Sequence, residues 1–289
     1  MSHRDVDPGI RPGWNVFYFQ AQKDATLWFF FFGLYSLYRV FFLWFFRDRM
    51  AGPPSLEDLA GILSAGARFD GMVCAYIAMI PFLGSIACGF FNRQNALEKF
   101  RIVYAGVCLG LSALFLGIDI GFFREYNERI NSFIFQFFLD DTKALVVTIW
   151  KDYHPILFFL AMGVVTTIGI MIIVRLLRKT WFPAPSGSGR MFLFCARSVI
   201  SVTLLALLVV SARGTLAGQP FHRKSLAITH DEFLNKSVIN VFSALRYAII
   251  EFVVLTHSDA GLAAFLPDRD VVGAARFLYG TDARHEDLD

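Results

Sequence analysis

Apolar positions gather into five long runs, with polar stretches between them. They read Ala25 to Phe46, Gly71 to Phe91, Ile102 to Phe123, Pro155 to Val174 and Met191 to Val210. A helix rises ~1.5 Å per residue, so about twenty residues match a hydrocarbon core of roughly 30 Å. Inside lipid the backbone must satisfy its own hydrogen bonds, which leaves helices as the spanning element for runs of this length. The pattern therefore predicts an all-α integral membrane protein with five transmembrane helices over residues 25–210. Residues 1–24 read as a cytoplasmic leader and residues 211–289 as an extracytoplasmic helical linker.

Shorter patterns lie between and after the runs. From Arg124 to His154 the chain is too polar to span. Ile130, Phe133, Ile134, Phe137 and Phe138 recur on one helical face, which predicts an amphipathic helix. Asp140 and Asp141 then break the pattern, and Leu145, Val146, Ile149, Trp150 and Tyr153 line a second helix. Two amphipathic helices fit either the outer membrane interface or the end of the bundle. Beyond the fifth run, Thr229-His-Asp-Glu232 has the form of a capping box. The helix it opens places Leu234, Val238, Val241, Phe242, Leu245, Ile249 and Phe252 on one side. The apolar end of that segment, Tyr247 to Leu255, holds Glu251 and is too short for a sixth span. Pro183 to Gly189 reads as a flexible turn, Asp270 to Tyr279 as a last short helix, and Asp282 to Asp289 as a charged tail. No internal repeat is visible.

Composition agrees with the pattern. The chain is 56% hydrophobic, with 33 phenylalanines and a mean hydropathy of +0.52. A net charge of only +3 gives no general attraction to nucleic acid. Where the charge lies is more informative than its sum, because Lys and Arg favour short cytoplasmic loops. Arg175, Arg178, Lys179 and Arg190 sit between the fourth and fifth runs without an acidic residue. Arg93, Lys99 and Arg101 outnumber Glu98 between the second and third. The N-terminus is therefore expected in the cytoplasm and the C-terminal segment outside, as in a multi-pass protein of a bacterial plasma (inner) membrane. The first run is too long, and starts too late, for a cleavable signal peptide. Cys74, Cys88, Cys108 and Cys195 all lie within apolar runs without metal-ligand spacing, which suits small packing residues rather than a disulfide framework.

Three charges fall inside the runs: Arg39, Asp119 and Arg197. A charge at mid-membrane costs roughly 2.5–3.5 kcal/mol on insertion scales, so each needs a partner or a route to water. Arg39 and Asp119 are placed to form an intramembrane ion pair across the first and third helices, while Arg197 can snorkel to the cytoplasmic interface. The alternative is a polar pocket for a lipid head group. A further polar group gathers just outside the membrane: Arg68, Asp70, Arg124, Arg129 and Arg213. Arginines there either hold a phosphate through paired hydrogen bonds or anchor helix ends. No Ser-His-Asp set, H-E-x-x-H or P-loop occurs, and the six histidines are scattered. The chain by itself therefore offers no catalytic, cofactor-binding or metal-binding residues. Asn235-Lys-Ser237 matches a glycosylation sequon, read as coincidence.

These polar signatures resemble a known family. Arg68-Phe-Asp70-Gly resembles the R-F-D-L entry to the second helix of lipoteichoic acid synthase-like proteins. These are phosphoglycerol and phosphoethanolamine transferases of the alkaline phosphatase/sulfatase superfamily. Asp119-Ile-Gly-Phe-Phe123 followed by Arg129-Ile-Asn131, and Arg213-Gly214-Thr215 followed by the Phe-Leu-Asn235 helix, are similar to later elements of the same pattern. The resemblance covers nearly the whole chain in order. It implies a five-helix membrane module that anchors a catalytic domain or subunit and admits its phospholipid, anionic or zwitterionic. The lipid-facing candidates are Arg68, Asp70, Asp119, Arg124, Arg129, Asn131 and Arg213. The metal-activated threonine of that family, with a divalent ion such as Mn or Mg, belongs to a soluble domain expected to begin about where this sequence stops. The competing expectations are a transporter of a lipid or small molecule and a non-enzymatic scaffold for a partner subunit. Topology is directly testable. Alkaline phosphatase fused after Trp181 should be inactive and the same enzyme fused after Thr215 active, whereas equal activity at both points would remove the fifth crossing.

Overall fold

The computed structural model describes residues 12–91, 94–138, 143, 146–147, 150–151, 155–179, 181, 190–215, 227–257 and 273. Five long helices carry the fold: α1 (Pro12–Phe45), α2 (Leu56–Phe91), α3 (Gln94–Tyr126), α4 (Pro155–Arg178) and α5 (Arg190–Arg213). Two short ones follow, α6 (Glu232–Ser237) and α7 (Val241–His257). The described residues contain no strand. Four helices are long and apolar enough to cross a bilayer, over Phe17–Phe45, Leu56–Ala87, Asn95–Tyr126 and Pro155–Arg178. In α5 the apolar stretch is shorter, Ser198–Arg213. The protein is a helical membrane protein.

Several helices extend past their apolar runs. α1 begins at Pro12, a residue whose missing N–H suits a first turn, so residues 12–24 are helical and continuous with the first apolar run. Phe17 and Ala21 are buried against Ile86, Ile200 and Leu204. α2 begins at Leu56, far ahead of Gly71. A capping box starts it: Asp58 N–H donates to Ser55 Oγ (3.0 Å) and Ser55 N–H donates back to Asp58 Oδ2 (3.3 Å). Hydropathy marks only the part of a helix that needs lipid, not where its backbone bonds begin.

α1 and α2 pack along much of their length, with α5 against α2 and α4 against α3. The α3–α4 contact depends on glycine notches. A Cβ at Gly117 would lie 2.6 Å from Phe158 Cε2, and one at Gly169 would overlap Leu109 Cδ2. Small residues of this kind let membrane helices approach where no hydrophobic force drives them together. α2 contains Pro81, which has no N–H for the carbonyl of Ile77 one turn earlier. Tyr104 of α3 donates its hydroxyl to that Ile77 carbonyl at 3.1 Å, so a neighbouring helix replaces the missing bond.

The segment after α3 departs from the amphipathic expectation. Asn127 takes a left-handed conformation (φ 53°) and its N–H donates to Phe123 O, a helix stop that Asn tolerates well. A short 3-10 turn then covers Ser132–Phe138, with Ile130 buried and Ile134 and Phe135 packed against the core. The second amphipathic helix, the Pro183–Gly189 turn and the Asp270–Tyr279 helix fall largely outside the described residues.

The C-terminal segment also differs from one continuous helix opened by Thr229. The cap is Asp231, whose Oδ1 accepts the Leu234 N–H at 3.1 Å. Thr229 is occupied instead, because its N–H and carbonyl close on the Asn235 amide. Asp231 Oδ2 also accepts Ala51 N–H at 2.9 Å, clamping the segment to the α1–α2 loop. α6 ends at Ser237, the chain turns through Asn240, and α7 leaves in a new direction. Phe233, Leu234 and Val238 are buried with Phe42, Phe46, Phe69 and Phe123. Phe242 lies 6.1 Å from Tyr35 and 5.7 Å from Phe115. Phe252, further along α7, meets Phe135 at 4.7 Å. Residues 231–257 thus form a hairpin that enters the Phe45 end of the bundle and returns toward the 132–138 turn.

The Pro81 repair predicts a coupled pair of substitutions. Tyr104→Phe should destabilise the bundle by about 1 kcal/mol, but by much less when combined with Pro81→Ala, because the restored N–H then serves Ile77 O. Detergent unfolding of the four proteins of that cycle measures the coupling, and additive losses would reject it.

Candidate functional site

Beneath the Ser237–Asn240 turn lies a buried polar cluster drawn from five segments. Arg39 of α1 and Asp70 of α2 pair at 2.7 Å between Nη2 and Oδ1. The other arms of Arg39 reach backbone carbonyls. Nη1 donates to Ser237 O and to Val238 O (2.6 Å), and Nη2 donates to Gly66 O (3.1 Å). Asn240 Nδ2 adds a second donor to Asp70 Oδ1 at 2.8 Å. Beside this pair, Asp119 of α3 accepts from Tyr38 OH (2.6 Å) and pairs with Arg129 (3.2 Å) through the same oxygen, Oδ2. Arg129 Nη2 also donates to Ile239 O at 3.0 Å, and its guanidinium stacks 4.6 Å over Phe42. All four charged groups are at most 7% exposed.

This arrangement corrects the expected Arg39–Asp119 pair. Both residues are buried near each other's helices, but each takes a different partner: Asp70 for Arg39 and Arg129 for Asp119. The turn explains the exchange. It presents the carbonyls of Ser237, Val238 and Ile239 to the bundle, and the forked guanidinium of each arginine serves a carboxylate and carbonyl oxygens together. Gly66 is required for the fit, since a Cβ there would overlap the Arg39 guanidinium. One atom of each charged group stays unpaired by protein: Arg39 Nε, Asp70 Oδ2, Asp119 Oδ1 and Arg129 Nε.

The expected phosphate-binding group therefore divides. Asp70, Asp119 and Arg129 are inside the cluster. Arg68, Arg124 and Arg213 are exposed at the same end of the bundle. Asn131 shapes a turn, its Oδ1 accepting Phe133 N–H at 3.0 Å. The side chain of Arg197 lies outside those described. Arg68 and Arg213 stand on adjoining helices, each just beyond the contact in which Ser211 Oγ donates to Gly71 O at 2.8 Å. At the rim of the hairpin, Lys236 donates to Asn127 O at 3.0 Å and pairs with Glu128 and Glu232. Burial pulls its pKa down, but the two carboxylates outweigh this and hold it above the ordinary 10.5. That contact is intact below the unfolded lysine value and lost as alkaline pH passes the folded one.

A second cluster, which the sequence reading missed, lies at the Pro12 end. Arg101 donates to Asp24 Oδ1 from Nε (2.9 Å) and Nη2 (2.7 Å), to Gln20 Oε1 (2.6 Å) and to Ser85 Oγ (2.9 Å). Ser85 donates in turn to Asp24. Lys23 pairs with Glu98 at its edge. Arg101 reads as a loop charge in sequence, yet it is 1% exposed. A signal existed, because Gln20 and Asp24 stand four apart and so share a face of the extended α1.

In the second cluster Ser85 donates to Asp24, but its hydroxyl is fully buried and also accepts from Arg101, so it is held as a structural group. No grouping of His, Cys, Asp and Glu fit for a metal exists among the described residues. Cys74, Cys108 and Cys195 are free thiols. The glycosylation sequon is folded away, since both amide atoms of Asn235 are bonded and Ser237 is buried. What the Phe45-end cluster can do is mechanical: it fixes the returning chain to three long helices. No family model, curated protein or solved structure matches this chain.

Removing one charge should be far worse than removing a pair. Arg129→Ala strands Asp119 and should lower stability by about 3 kcal/mol, with new protease cleavage in residues 231–257. Arg129→Met with Asp119→Asn should lose much less in the same detergent unfolding assay, and equal losses would mean that the pair does not hold the hairpin.

Proposed function

We propose that the chain is the membrane module of a phospholipid-using transferase resembling lipoteichoic acid synthase-like proteins, acting in modification of the bacterial cell envelope. In this reading α5 is the fifth crossing, the N-terminus is cytoplasmic, and the hairpin lies on the extracytoplasmic side of the plasma membrane. The transfer chemistry, with its divalent metal, resides in a sulfatase-like catalytic domain or subunit held against the hairpin.

The observation that carries the reading is the docking of residues 231–257. A flexible tether needs no buried ion pairs, but a segment that must present a catalytic centre at fixed height above lipid does. Here Arg39 and Arg129 grip three successive carbonyls of the turn, and Asp231 ties α6 to the loop after α1. The order of Arg68-Phe-Asp70, Asp119, Arg129 and the Asn235 helix supports it as well, since those motifs meet at one end of the bundle. Within the reading, Asp70, Asp119, Arg129 and Asn131 hold the hairpin and its neighbouring turn. The exposed Arg68, Arg124 and Arg213 take the lipid phosphate, which guanidinium binds through paired hydrogen bonds. A scaffold for a separate subunit draws on the same docking and differs only in what is docked.

A denaturing blot of native membranes with an antibody to residues 227–240 tests this. The expected result is a band well above 32.7 kDa, or a band at that mass that co-purifies with a sulfatase-like subunit. A band at that mass with no such partner overturns the transferase reading, and flipping of a labelled phospholipid by the purified chain would replace it with a translocator.

A further inference from the structure

α7 is buried along one line and bare along the other. Val241, Ala244 and Ala248 are in the core, with Phe252 against Phe135. At 100° per residue the side turned away carries Ile249, Ile250, Val253 and Val254. These are 45%, 47%, 45% and 50% exposed. Four aliphatic side chains facing water at successive turns would be an apolar patch without a covering.

We infer that α7 is an interfacial helix whose outer face rests on the acyl chains of the bilayer. Three observations choose lipid as the occupant. First, the level is right. Phe242 meets Tyr35 and Phe115, which lie within the spans Phe17–Phe45 and Asn95–Tyr126, so α7 starts below the membrane surface. Second, it ends among exposed aromatics of the kind that mark the interface. Tyr126 and Phe133 meet edge to face at 5.1 Å and are 52% and 45% exposed, and Phe133 belongs to the same turn as Phe135. Third, the strip is narrow. It offers four aliphatic side chains with no aromatic anchor, against the roughly 20–30 residues a side of a stable protein interface. Arg246 is the charge on this side and is exposed. Its stem can follow the apolar strip while the guanidinium reaches phosphate level. A surface helix that is apolar outward and carries a basic residue is a lipid-binding element.

The C-terminal hairpin is then part of the membrane domain, touching lipid directly, and not a linker held clear of it. This holds whether or not the transferase reading does. The full chain, freed of native cysteines and reconstituted in liposomes of phosphatidylcholine and phosphatidylglycerol, would carry a nitroxide at Ile250→Cys. Oxygen collisions should exceed those of a water-soluble nickel complex and match Ile168→Cys on α4 within about twofold. A nickel-dominated signal like that of His230→Cys would overturn the inference, as would a label reached by neither, which would mean a second copy or the chain's own tail covers the face. The unmodified chain supplies an independent readout. A phospholipid with a diazirine in its acyl chain should label residues 249–254 along with α4, and labelling of α4 alone would also overturn it.

Discussion

A buried arginine must find acceptors for its N–H groups, and much of the Phe45 end is arranged to supply them. Arg39 sits among phenylalanines at a depth where water is scarce, 5% exposed. Its carboxylate partner, Asp70, neutralises it. Three carbonyls, two of them from a turn almost 200 residues later, accept from its terminal nitrogens. Arg129 repeats the arrangement with Asp119 and Ile239. The requirement runs both ways. A turn that dips into the bundle exposes carbonyls that the last turn of a helix cannot satisfy, and in an apolar surround an unpaired carbonyl is costly. Arginines and turn therefore need each other, and the pairing ties the end of the fold to its beginning.

The same accounting of backbone groups explains features elsewhere. Pro81 leaves a carbonyl without its N–H, and Tyr104 fills the gap from α3. Asn127 and Gly214 adopt left-handed conformations where α3 and α5 stop, which closes their last turns. Glycines admit neighbouring groups where a Cβ would collide, at Gly66 for Arg39 and at Gly117 for Phe158. Each device lets helices or side chains approach closely in a solvent that offers no hydrogen bonds. For the proposed function the consequence is rigidity. The hairpin is held by charge pairs, an Asp231 clamp and a phenylalanine cluster, so anything attached to it shares the orientation of the bundle.

The sequence by itself determined the class of the protein, because about twenty apolar residues in a row have one inexpensive solution in lipid. It also marked most of the polar residues that matter at the Phe45 end, since a charge inside or beside an apolar run is conspicuous. It located α6 and α7 through their apolar faces, though it joined them into one helix. Partners were a different matter. Sequence matches Arg39 with Asp119, and its pairing with Asp70 rests on a turn that reads as mid-helix in sequence. The helix start at Leu56 depended on capping geometry that hydropathy does not register. Arg101 looked like a loop charge because only the packing of α1 against α3 brings Gln20 and Asp24 to it. Periodicity and composition are local properties of the chain, so sequence carries them. Which donor meets which acceptor depends on segments far apart in sequence, and only the tertiary structure decides it.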